Sequence, residues 1–301
     1  MDIRFEDTID VTKDLLVLGM FEEDENNSYE FLNTVFTKEL QEAMSLGIFK
    51  KIYGEMYSTK FAGLGYRRVL VLALGAKKDM TLERLRRLLG KALSHTKLYR
   101  LESFSTNILS LIESTGKFSA ESLGRATAEG ILLSNYSFKK YLHPTPETAE
   151  KDIHTVILTW MKEKEQLQKG FVQGKCIAEC TNFAKDLVNE PPMHMTPAFL
   201  EKVAEEIAEI KNVKLRVLDK KDLEEKGFGA LLGVSRGSEH APRLLILEYH
   251  GMENGPTTAI IGKGITFDTG GYNLKPTGSM EKMKCDMAGA AAVLTTVKCA
   301  A

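Results

Sequence analysis

The stretch IGKGITFDTGGYNLKPTGSMEKMKCDMAGAAA, residues 261–292, decides how the rest of the chain is read. It sets Lys263, Asp268, Lys275 and Asp286 in the pattern K-x4-D-x6-K-x10-D. Its upstream end, TTAIIGKGITF, reads as a buried strand, a short apolar run bounded by Gly255-Pro256 and Gly270-Gly271. At its downstream end, Asp286 opens the Ala-rich helical pattern DMAGAAAVLTTVKCAA, whose small residues permit close packing on a sheet. The four polar residues therefore fall on a glycine-rich crossing from strand to helix, where α/β sheets carry their ligand sites.

These residue types suit hydrolysis. Two aspartates offer hard anionic oxygens to divalent cations. A lysine at the end of a buried strand is costly unless its charge is held or removed. Beside a doubly charged metal, Lys263 can lose its proton and ligate as a neutral amine. Lys275 can stay protonated and stabilise charge building on a substrate carbonyl. The same spacing also fits a Lys–Asp salt bridge at a strand end, a glycine-rich loop and an Asp helix cap. Spacing alone leaves both readings open.

Three segments, GKGITFDTGG, LKP and MKCDMAGAA, follow one another in order, and DLVNEPPMHMTP (186–197) and GFGALLGVSRGS (227–238) lie upstream. Through these the chain resembles the leucyl aminopeptidase (cytosol aminopeptidase) family of two-metal exopeptidases, strongly after about residue 180 and weakly before about residue 125. Thr269 stands where serine is commoner and Ala288 where glycine is, and both are small. The resemblance implies that Asp268 bridges two divalent ions and that Lys263 and Asp286 hold one of them. It further implies Lys275 as the catalytic residue and Met283 as a lining of the pocket for a leucine-like first side chain. The ions would be manganese or zinc, with magnesium or cobalt also suited to oxygen and amine donors. Implied partners are peptides with a free N-terminus, in intracellular protein turnover, and further copies of the chain in a homohexamer. The family's later N-T-D-A-E-G-R motif, with two more carboxylates and an arginine, is not in the sequence. The expectation is the first part of a longer metalloaminopeptidase. The alternative is a catalytically silent fragment, or an assembly or binding module of the same fold.

Composition narrows the rest. A length of 301 residues suits about two domains with ample core. Lys+Arg and Asp+Glu number 40 and 41, so net charge argues for neither nucleic acid nor membrane as a main partner. The acidic start MDIRFEDTID is no signal peptide, and no apolar run approaches spanning length. Cys176, Cys180, Cys285 and Cys299 follow no zinc-ribbon or disulfide spacing, which fits a reducing, cytoplasmic setting.

The expected fold is α/β: an N-terminal α/β assembly domain with a mixed sheet (1–150), then the first part of an α/β/α sandwich catalytic domain (151–301). Strands are expected at 14–21, 67–75 and in TNILSLIES (106–114). Thr81 caps a helix with Leu82, Leu85, Leu88, Leu89 and Ala92 on one face, and Ser119 starts another ending near Tyr136. The arginines of LERLRRLLGK fall on the polar side of the first, a solvated face rather than a nucleic-acid patch. HPTPET (143–148) marks the domain boundary.

Beyond it come a strand TVILTW from Thr155 and a linker helix near 162–187. Cys176 and Cys180 lie one turn apart on that helix. With no histidine or third cysteine close in sequence, they read as buried structural thiols. NEPPMHMTP is a proline-blocked turn, and its His194 is given a structural role because the resemblance offers it no ligand position. Thr196-Pro197 starts a helix whose buried stripe is Leu200, Val203, Ala204 and Ile207. NVKLRVLD reads as a half-exposed strand, KDLEEKG as a short helix and RLLILEYHG as a buried strand. Gly262-Lys263-Gly264 lacks the flanking residues of a phosphate loop, and the chain has neither H-E-x-x-H nor G-x-S-x-G.

Overall fold

Strand β2 (Leu15–Phe21) is seven consecutive apolar or glycine residues, all buried. A strand of that composition needs cover on both faces, and the structure supplies it. Leu15 and Val17 enter one hydrophobic layer; Leu16, Leu18 and Met20 enter the opposite one. Strand β4 (Arg68–Gly75) splits the same way, Leu70, Leu72 and Leu74 against Val69, Val71 and Ala73. The period of two along each strand thus makes two cores from one sheet.

The computed structural model describes residues 1–24, 34–60, 66–143, 145, 151–160 and 162–301. These divide into two compact units, Met1–Ala178 and Glu179–Ala301. In the first, the described strands form a six-stranded mixed sheet in the order β1-β6-β5-β2-β4-β3. Its other members are β1 (Asp2–Glu6), β3 (Met56–Lys60), β5 (Ser103–Thr106) and β6 (Thr155–Thr159). All pairings are parallel except that of β3 with β4.

Helix α1 (Thr34–Ser45) covers one face through Phe36, Leu40 and Ala43. Helices α2 (Leu82–Leu98), α3 (Ile108–Glu113) and α4 (Ala120–Asn135) cover the other. The Thr81 hydroxyl accepts from Arg84 N and the Ser119 hydroxyl from Ser122 N, so both expected caps form. Helix α5 (Lys164–Asn189) follows β6.

Two expectations for this unit are corrected. TNILSLIES is not a strand: β5 ends at Thr106, and Ile108, Leu109 and Ile112 form the buried face of α3. A short apolar run fits either period, and Asn107 decides it by turning its Oδ1 to accept from Gly19 N of β2 at 2.9 Å. The strand from Thr155, expected after the boundary, pairs between β1 and β5 of this sheet. Within HPTPET, residues 144 and 146–148 lie outside the described residues.

In the second unit, α6 (Pro197–Ala208) starts at Thr196, whose side chain accepts from Phe199 N, and buries Leu200, Val203, Ala204 and Ile207 as expected. Strand β7 (Val213–Leu218) pairs antiparallel with β8 (Leu244–Tyr249), the two-stranded sheet of the described residues here. Between them lie α7 (Lys220–Glu225), opened by an Asp219–Asp222 capping box, and α8 (Gly229–Ser235). Helix α9 (Ala288–Ala300) adds Ala291 and Leu294 to a core with Leu187, Met195, Leu200 and Val213.

Here RLLILEYHG is half-exposed to exposed rather than buried. TTAIIGKGITF takes no strand conformation, and Ile261 is 95% exposed. A strand exists only with a neighbour to complete its hydrogen bonds, and none of the described strands pairs with these residues.

Candidate metal centre and active site

Backbone contacts bring the distant polar residues together. Lys263 is fixed by its own carbonyl, which accepts from Ala290 N in the first turn of α9 at 2.8 Å. That approach requires glycine at 262, where a Cβ would lie 2.3 Å from Gly289 O. Farther along, the loop closes on itself. Lys275 N donates to Thr269 O at 2.9 Å, and Gly270 N donates to Asp268 Oδ1 at 2.8 Å. The two-turn 3-10 helix Met280–Cys285 then leads to Asp286, and Lys284 Nζ ties it to Asn189 O at the end of α5 at 2.8 Å.

Two lysine–aspartate pairs result. Lys275 Nζ donates to Asp268 Oδ2 at 2.7 Å and to Met283 Sδ at 2.9 Å. Lys263 Nζ lies 2.8 Å from Asp286 Oδ2. The buried Asp286 Oδ2 therefore has the Lys263 ammonium as its ion-pair partner. The lysine Lys275 and then the Gly270 amide hold the Asp268 carboxyl below its ordinary range, against a smaller opposing effect of desolvation. Contact with Asp286, and more distantly the charge of Asp268, raises Lys263 above the usual lysine range. Without a cation beside it, Lys263 is therefore an ammonium.

Lys275, Asp268 and Met283 thus make one contact group and Lys263 with Asp286 another, coupled through the charges of Lys263 and Asp268. Asp286 is not a helix cap, since Met287 holds the N-cap position of α9 and no side chain caps it. The salt bridge of the plainer reading does form, twice. Met283 sits half-buried against Lys275, whereas Met287 is the core methionine. His194 is exposed in its turn. The anchoring role of Lys284 went unread in the sequence, because a lysine that meets a helix carbonyl leaves no local pattern.

The donor set fits a divalent cation. Two carboxylates supply hard oxygens, and Lys263, beside Asp286 at 2.8 Å, would add a nitrogen donor once a cation displaced its proton. Their two negative charges balance one such ion. A second ion needs further anionic ligands.

Residues 17–145 match the N-terminal domain of the cytosol aminopeptidase family and residues 182–301 its catalytic domain. Probable cytosol aminopeptidase of Alkaliphilus metalliredigens is 33% identical over 93% of this chain and 57% of its own length. That of Geobacter sp. is 33% identical over 100% of the chain and 60% of its own length. The chain thus spans a little over half the length of these curated relatives. Among solved structures, a mutant of tomato leucine aminopeptidase superposes with a TM-score of 0.82 at 25% identity, covering 99% of this chain and 59% of that one. The bottromycin maturation enzyme BotP in complex with Mn superposes with a TM-score of 0.72 at 26% identity, covering 95% and 56%. With both domains matched in chain order around the Lys263–Asp286 loop, the protein belongs to the cytosol (leucyl) aminopeptidase family.

Proposed function

We propose that this chain carries part of the active site of a metal-dependent aminopeptidase that releases leucine-like residues from peptides with a free N-terminus. The observation that carries the reading is the donor set itself: the Asp286 carboxylate paired with Lys263 at 2.8 Å, with the charge of Asp268 acting on the same lysine. Asp268, Asp286 and Lys263 as an amine would hold divalent metal, manganese or zinc before magnesium or cobalt. The manganese named in the BotP structure supports that choice. Once bound, such ions supply an acidified water and a polarised carbonyl.

The chain's own residues do the rest. Lys275 has its ammonium between Asp268 and Met283 and can turn a proton toward the oxyanion of the breaking amide. Met283, an adaptable thioether beside that ammonium, lines the space for an apolar first side chain. Assembly through residues 1–150 into a homohexamer, and a cytoplasmic place in protein turnover, belong to the same proposal. None of the described helices is long and apolar enough to cross a membrane.

Replacing Lys275 with alanine, in a chain lengthened to the relatives' span, is expected to cut leucine-anilide turnover about a hundredfold or more. Manganese content should stay unchanged. Unaltered turnover would remove Lys275 from the reaction. The second reading, a silent assembly or binding module, draws on the charge count of two carboxylates for one ion. It predicts little leucine-anilide hydrolysis by the 301-residue chain with added manganese. Turnover at an ordinary enzymatic rate would reject it.

A further inference from the structure

Cys180 on α5 and Cys299 in the last turn of α9 place their Sγ atoms within 4.8 Å of each other. A second contact shows independently that the two helices pack here: Lys298 Nζ, from the residue before Cys299, lies 4.2 Å from the ring centroid of Phe183. Both thiols are half-buried, so a small ion can reach them. A zinc–thiolate bond is about 2.3 Å, and two thiolates sharing one ion therefore sit no more than about 4.6 Å apart. A separation within 4.8 Å lies at or close to that limit.

We propose that Cys180 and Cys299 form a thiolate site for a soft divalent cation, zinc or cadmium in chemical type. Two thiolates neutralise one such ion. Soft sulfur selects these metals, whereas the carboxylates of the 263–286 loop favour harder ones. The two sites share no residue, and the bound ion would cross-link α5 to the helix that follows Asp286.

The test uses the 301-residue chain under reducing conditions with cadmium as probe, and with Cys176 and Cys285 changed to serine so that two thiols remain. One cadmium per chain is expected, with near-ultraviolet thiolate-to-cadmium absorption. Cys180→Ser or Cys299→Ser should each weaken binding about tenfold or more, while Asp268→Asn leaves the absorption in place. No thiolate absorption in the two-thiol chain, or its survival in Cys299→Ser, overturns the proposal. Should the serine variants fail to fold, the unaltered chain gives the answer by alkylation. Cadmium should slow labelling of Cys180 and Cys299 and leave the exposed Cys285 unchanged. Equal labelling with and without cadmium refutes the site.

Discussion

Two apolar runs, one in each unit, meet different fates although their sequences are of the same kind. LLVLGMF of β2 and TTAIIGKGITF are both apolar runs closed by glycine or turn residues. The first is buried on both faces between β4 and β5, and the second lies without strand partners with Ile261 open to solvent. Apolar composition therefore marks a segment that can be a central strand. Whether it becomes one depends on a neighbour on either side and helices above and below.

This contrast can be broken by substitution. Leu72→Ala, inside the first sheet, is expected to cost about 3 kcal/mol, whereas Ile246→Ala on half-exposed β8 should cost under about 1 kcal/mol. Denaturant melts that gave equal losses would show the two sheets to be equally well covered. Next in size is Gly170→Ala on α5, where the added Cβ would come within 1.8 Å of Glu121 O of α4. Forcing those backbones apart should cost about 2 kcal/mol and lower the melting temperature of the first unit.

A smaller effect sharpens the comparison by being the same in both units. Thr81→Ala and Thr196→Ala remove equivalent cap hydrogen bonds, and each should cost about 1 kcal/mol. A clear difference between them would mean that one helix end is held by more than its cap. The smallest effect is a pH dependence confined to the first unit. Burial, and then the nearby Arg68 charge, push His95 below its ordinary 6.5. The unfolded chain therefore binds the proton more readily. Stability is full above 6.5 and falls as pH drops from there to the folded value. His95→Gln should flatten that slope in melts recorded across the window.

Much of the first unit is legible because its signals are local. The continuous apolar runs of β2 and β4, the Thr81 and Ser119 caps and the Leu stripe of α2 are each decided within a few residues. TNILSLIES misleads because its four apolar positions suit a strand and a helix turn alike, and the structure breaks the strand at Asn107, whose Oδ1 accepts from Gly19 N of β2. At the candidate site, the spacing K-x4-D-x6-K-x10-D marks the residues, but spacing does not say which lysine meets which aspartate. The cysteines teach the same lesson: Cys180 finds Cys299 across helices, although no third cysteine stands near it in the sequence.

By itself the sequence determined the family resemblance, the residues of the loop, the main helices and their caps, and the strands at 14–21 and 67–75. These rest on side-chain chemistry, backbone sterics and short-range periodicity, which act between near neighbours. Only the tertiary structure decided that Lys263 faces Asp286, that Lys275 lies between Asp268 and Met283, and that 257–267 stays unpaired. Each depends on contacts that cross the chain, such as the backbone approach of Gly262 to Gly289, and these form only when distant segments are held together by packing that no single stretch encodes.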